Sequence, residues 1–152
     1  MPTTRKAVFG WTLFDLANSV AAIIIITSTF PLWFHASGGT DGLLAIAKSI
    51  AEALALLCAL PLGMMLDRTN RRVFPLAVLT GIGVIVMALF GIIGLPAVLL
   101  LYVIAIWSMH SGQLVYEAML PDVSNASDRG RISGAGIALG LIGSFAGLFL
   151  EA

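Results

Sequence analysis

Residues 42–72 read GLLAIAKSIAEALALLCALPLGMMLDRTNRR. From Gly42 to Leu66 the stretch is apolar except for Ser49 and two charged residues, Lys48 and Glu52. An α-helix rises 1.5 Å per residue, so about 20 mostly apolar residues cross the hydrocarbon core of a bilayer. This run is long enough. It then breaks into Asp67-Arg68-Thr69-Asn70-Arg71-Arg72, a short, strongly polar turn. A helix that needs lipid, closed by a turn that needs water, sets the pattern for the rest of the chain.

Four more stretches of the same kind flank it, so membrane helices are expected over about 8–34, 42–66, 73–93, 96–118 and 132–150. Pro31 and Ser37-Gly38-Gly39-Thr40-Asp41 make the first turn, Gly94-Leu95-Pro96 the third, and Pro121 to Gly130 the fourth. The runs are continuously apolar and lack the alternation of a β-barrel. The expected fold is therefore all-α, a polytopic transmembrane helix bundle, with residues 1–152 forming a single membrane domain. Composition agrees: 59% of the 152 residues are hydrophobic and 11% charged, where a soluble domain carries about 25% charged. So few polar side chains cannot cover a water-soluble surface of this size.

Net charge is zero, which gives no reason to expect nucleic acid as a partner. The single cysteine, Cys58, has no intramolecular disulfide partner. Arg5 and Lys6 precede an apolar stretch, as in a secretory signal. That stretch is too long for a signal core, however, and it contains Asp15 and Asn18, so a retained helix is expected. Basic residues give the orientation. Arg5, Lys6, Arg68, Arg71, Arg72, Arg129 and Arg131 fall in the amino-terminal tail and the second and fourth turns, and none falls in the first or third. By the positive-inside rule the amino terminus faces the cytoplasm. With no long targeting tail, the expected membrane is the plasma (inner) membrane.

Charged groups at membrane depth cost about 2.5–3.5 kcal/mol each on insertion scales and should face protein or water. Asp15, Asn18 and Ser19 share one side of the first helix, and Lys48 and Glu52 lie four apart on the second. His110, Gln113 and Glu117 form a stripe on the fourth. Three polar faces suggest a wet interior with substrate or proton-coupling residues; internal ion pairs that lock a bundle are the plainer alternative. Gly136, Gly140, Gly143 and Gly147 form a small-residue seam on the fifth helix that lets another backbone approach. Ser133 and His110 do not make an enzyme: Ser133 lies beside Arg131 at a helix end, and no metal-ligand spacing such as H-E-x-x-H occurs. No cofactor, metal or catalytic residue is expected.

The turn with the end of its helix, Gly63-Met64-Met65-Leu66-Asp67-Arg68-Thr69-Asn70-Arg71-Arg72, resembles the loop signature of the major facilitator superfamily, G-x-L-x-D-R-x-G-R-[RK]. Asn70 replaces its second glycine. Trp11-Thr12-Leu13-Phe14-Asp15-Leu16-Ala17-Asn18-Ser19 with Thr29-Phe30-Pro31, and Tyr116-Glu117-Ala118-Met119-Leu120-Pro121-Asp122 with Gly130 to Gly140, resemble segments of its vacuolar-effluxer-like (autophagy-related amino-acid effluxer) family. Glu117, Leu141 and Val20-Ala21 depart from that family's pattern. The resemblance implies secondary transport of a small solute, such as an amino acid, between two halves of six helices. It implies gating by Gly63, Asp67, Arg68, Arg71 and Arg72. It further implies that this chain is a fragment holding the first five helices, part of the amino-terminal half. Its partners would then be lipid, a small-molecule substrate, and the missing second half or a self-associated copy. The alternative is a five-helix scaffold or assembly partner with no transport of its own.

Overall fold

The computed structural model describes residues 5–69 and 71–150. Among them there is no strand, and the chain is an all-α polytopic helix bundle. Helix α1 (Arg5–Ala22) runs through a π-helical segment (Ile23–Ser28) into α2 (Thr29–Ala36). There follow α3 (Asp41–Thr69), α4 (Val73–Ala88), α5 (Leu95–Ala118), the single turn α6 (Leu120–Val123) and α7 (Arg129–Leu150). The runs Arg5–Ala36, Asp41–Thr69, Leu95–Ala118 and Arg129–Leu150 are long and apolar enough to cross a membrane. Side chains such as Leu56, Leu57, Leu60 and Phe149 are 72–80% exposed, and only lipid or another protein surface can cover so much apolar area. The chain is an integral, multi-pass membrane protein.

Local sequence explains where the helices start, stop and change pitch. The sequence predicts one unbroken helix over 8–34, whereas Thr29 N–H bonds to the carbonyl five residues back, at Ile24. Four consecutive β-branched isoleucines crowd the α-helical turn there. Pro31 offers no N–H to the carbonyl of the preceding turn, which loosens the register further. Helix α2 ends in a Schellman turn: Gly39 N–H reaches Phe34 O at 2.9 Å, Gly38 N–H reaches His35 O at 3.0 Å, and Gly38 has φ +90°. Thr40 then caps α3 with a long bond from Leu43 N–H, 3.5 Å.

The third apolar run predicts a helix to Ile93, but α4 stops at Ala88. Past that point Leu89, Phe90 and Ile92 bond three residues back, and Gly91 has φ +82°. The 16 residues of α4 rise about 24 Å, less than the hydrocarbon thickness of about 30 Å. Pro96 lies in the first turn of α5, where its missing N–H has no intrahelical partner to lose.

The chain forms two compact units, one from Met1–Pro31 with Ala118–Ala152 and one from Leu32–Glu117. In the first unit, α1 and α7 lie side by side and parallel. Positions 140, 143 and 147 of α7 meet Asp15, Leu16 and Val20 of α1 in the same order, with Ile23 of the π-helical segment also against Gly147. The buried face of α7 is Ile132, Gly136, Gly140, Gly143 and Gly147. In the second unit, Gly83 of α4 meets Ser108 of α5 while Leu76 and Leu79 meet Gly112, so those two helices are antiparallel. Tyr102, Phe34, Ile106, Val98 and Val115 are its largest fully buried side chains.

Candidate functional site

Each unit carries its own polar group. In the Leu32–Glu117 unit, Ala47, Ala51 and Ala55 form the buried stripe of α3. Lys48 and Glu52 lie one step round the helix, each 50% exposed, with Lys48 Nζ 3.9 Å from Glu52 Oε1. That is a loose ion pair within a helix whose other exposed side chains are largely leucine and isoleucine. On α5, Gln113 Nε2 donates to Glu117 Oε1 at 3.2 Å, and His110 is exposed on the turn before. Both arrangements leave carboxylate oxygens open to further donors.

The loop signature falls at the end of α3 and the start of α4. Helix α3 carries Gly63, Asp67 and Arg68 and ends at Thr69, whose hydroxyl donates to Met65 O at 2.8 Å. Arg72 is the residue before α4, and Arg71 is exposed beside it; Asn70 lies outside the described residues. Among the described residues Asp67 makes no ion pair with Arg68, Arg71 or Arg72. A cavity of about 390 Å³ lies next to this loop, walled by Cys58, Leu62, Met65, Phe74, Val78 and Trp107. Ser111 lines it too. Its hydroxyl is 1% exposed as a residue and has no hydrogen-bond partner among the described residues. Nothing in the sequence singles out Ser111, since a serine inside an apolar helix usually bonds its own backbone.

In the other unit Asp15 and Asn18 are half-buried on α1. Gly140 lies directly opposite: a Cβ placed there would lie 2.8 Å from Asp15 Oδ2 and 3.0 Å from Ser19 Oγ. Gly143 faces backbone, with its Cβ position 2.5 Å from Leu16 O, and Gly147 faces Ile23 at 3.2 Å. The seam therefore gives room to a carboxylate at one turn and to a backbone at the next. Gly136 is buried one turn earlier on the same face. Thr12, also buried, returns its hydroxyl to Val8 O and Phe9 O, both at 3.1 Å.

Arg5 and Arg131, read from the sequence only as orientation signals, face one groove between the first turns of α1 and α7. Their positions 126 residues apart gave no sign of it; only the parallel packing of the two helices joins them. Among the described residues no group of three or more His, Cys, Asp or Glu is placed to hold a metal ion.

The chain is similar to a curated protein of Bacillus subtilis (strain 168), "Uncharacterized MFS-type transporter YxiO", where MFS denotes the major facilitator superfamily. Identity is 28% over 150 residues, covering 89% of this chain and 34% of that protein. The chain thus spans about a third of the length of the curated relative it matches. No protein-family model matches it. No solved structure matches it.

Proposed function

We propose that this chain is one part of a secondary-active transporter that moves a small solute across the membrane by alternating access. The observation that carries the reading is the set of ionisable side chains left open on membrane-length helices: Lys48 and Glu52 on α3, and His110 and Glu117 on α5. Each costs free energy in lipid. A water-filled path, or a second protein wall around one, removes that cost and gives the groups work to do. The similarity to an MFS-type transporter points the same way.

In this reading the chain crosses the bilayer five times with its amino terminus in the cytoplasm, in the plasma (inner) membrane. The chain is a fragment of the transporter and holds part of its amino-terminal half. Amino acids are the substrate class favoured by the resemblance to the vacuolar-effluxer-like family. Asp15, Glu52 and Glu117 contact substrate or carry the coupled proton, with Asn18, His110 and Gln113 beside them. Lys48 is the counter-ion of Glu52. Asp67 with Arg68, Arg71 and Arg72 works the cytoplasmic gate, and Gly63 gives the helix junction room to move. The second wall comes from the rest of the transporter or from a self-associated copy.

The test is uptake of labelled amino acids by proteoliposomes that hold the complete transporter. Glu52→Gln and Asp15→Asn are each expected to abolish concentrative uptake. Unchanged uptake in both would overturn these residue assignments. The chain alone is expected to show no uptake and to self-associate in detergent. A monodisperse, transport-competent monomer of the chain would overturn the fragment reading. A chain that only assembles with other membrane proteins would establish the scaffold instead.

A further inference from the structure

We propose that the groove between the first turns of α1 and α7 binds an anionic phospholipid, with its phosphate between Arg5 and Arg131 and the start of an acyl chain below. The groove has a volume of about 390 Å³. Its lining is sorted by depth. Arg5 and Arg131 stand at the helix-start end. Ile132 adjoins Arg131, and Val8, Phe9, Ala135 and Leu139 continue the lining about one to two turns further in. From Arg5 to Thr12 the wall descends about 10 Å at 1.5 Å per residue, the depth of a headgroup and its first methylenes. A small water-soluble anion would gain nothing from those apolar walls, whereas a lipid uses both parts.

Charge favours an anion. Neither Arg5 nor Arg131 makes an ion pair among the described residues. The neighbouring groups are already engaged: Arg129 Nε donates to Ser124 Oγ at 3.3 Å, and Asp128 Oδ1 accepts Asn125 N–H at 2.7 Å. Among the described residues Asp128 is the one acidic residue lining the groove, against two guanidiniums. The positive end of the α7 dipole lies at the same place. A guanidinium matches a phosphate diester through paired N–H donors, and basic pockets between membrane helices are known binders of anionic headgroups. A choline headgroup would instead bring a cation against two arginines. With the orientation proposed above, the groove opens among the cytoplasmic headgroups, but binding itself requires only that the chain is in a membrane.

The test weighs the purified full chain by native mass spectrometry after titration with dioleoylphosphatidylglycerol or dioleoylphosphatidylcholine. The expected result is one retained phosphatidylglycerol, favoured about fivefold or more over phosphatidylcholine, and lost roughly tenfold in R5Q/R131Q. Ala135→Trp fills the groove from an exposed position and keeps both arginines; it is expected to lose the lipid as well, which general surface charge would not explain. Equal retention of the two lipids, or full retention in either variant, overturns the proposal. A benzoylphenylalanine at Leu139, photolysed in native membranes, is expected to gain the mass of a phospholipid. Cross-linking to a protein segment instead would show that protein covers the groove, and would also overturn it. Neither readout involves transport, so failure of the transporter reading leaves these outcomes unaffected.

Discussion

Gly140 of α7 and Asp15 of α1 share one volume: a methyl group on Gly140 would lie 2.8 Å from the Asp15 carboxylate. The same seam brings Gly143 against the backbone carbonyl of Leu16 at 2.5 Å. These two contacts have different mechanical consequences. A carboxylate can rotate away from a new methyl, whereas a helix backbone cannot.

Gly143→Ala is therefore expected to separate α1 from α7 and to destabilise the chain by about 1–3 kcal/mol, read as a lowered unfolding temperature in detergent. Gly134→Ala, on the same helix with nothing within 4 Å, is the control and should leave that temperature unchanged or raise it slightly through helix propensity. Equal effects from the two would show that helix propensity, and not the seam, is being measured.

Gly140→Ala should act on transport before it acts on stability. The new methyl displaces Asp15 and Ser19 rather than backbone. The expected outcome is a complete transporter with near-normal unfolding temperature and strongly reduced uptake. If uptake is normal, the position of Asp15 does not matter for transport.

The end of α2 offers a sharper structural test. Gly39 packs directly under the ring of Phe34, which is fully buried, and Gly38 holds φ +90°. Gly38→Ala is expected to cost about 1–2 kcal/mol through its backbone angle. Gly39→Ala should cost more, because the ring must leave its place. Protease nicking at the α2–α3 turn would report both.

Orientation is testable by labelling. In a Cys58→Ala background, Ser37→Cys in the first turn should react with an impermeant maleimide added to intact cells. Asn125→Cys in the fourth turn should react only after the cells are opened. The reverse pattern would invert the topology drawn from the arginines.

Asp67 makes no ion pair in this conformation among the described residues, although three arginines follow within five positions. A gate that pairs it in another state loses a charge-assisted bond in Asp67→Asn, which predicts transport slowed about tenfold or more in the complete protein. Unchanged transport would reduce the loop to an orientation signal.

The sequence by itself determined the solvent of this protein. Continuous apolar runs separated by Gly38-Gly39, Asp67–Arg72 and Pro121–Gly130 admit only helices in lipid, because an unpaired backbone group cannot be left there. It also singled out the polar stripes on α1, α3 and α5, since three- and four-residue spacing is a local property of one helix. What it could not supply were relations between helices. The approach of Gly140 to Asp15, the placing of Arg5 and Arg131 on one groove and the stranded hydroxyl of Ser111 depend on how one helix lies against another. In the membrane that choice rests on close packing rather than on an apolar pattern, because lipid-facing and protein-facing residues are equally hydrophobic. The π-helical turn at Ile23–Ser28 has the same character. Its isoleucines and Pro31 were in plain view, but the shift to bonds five residues back was visible only once the backbone was folded.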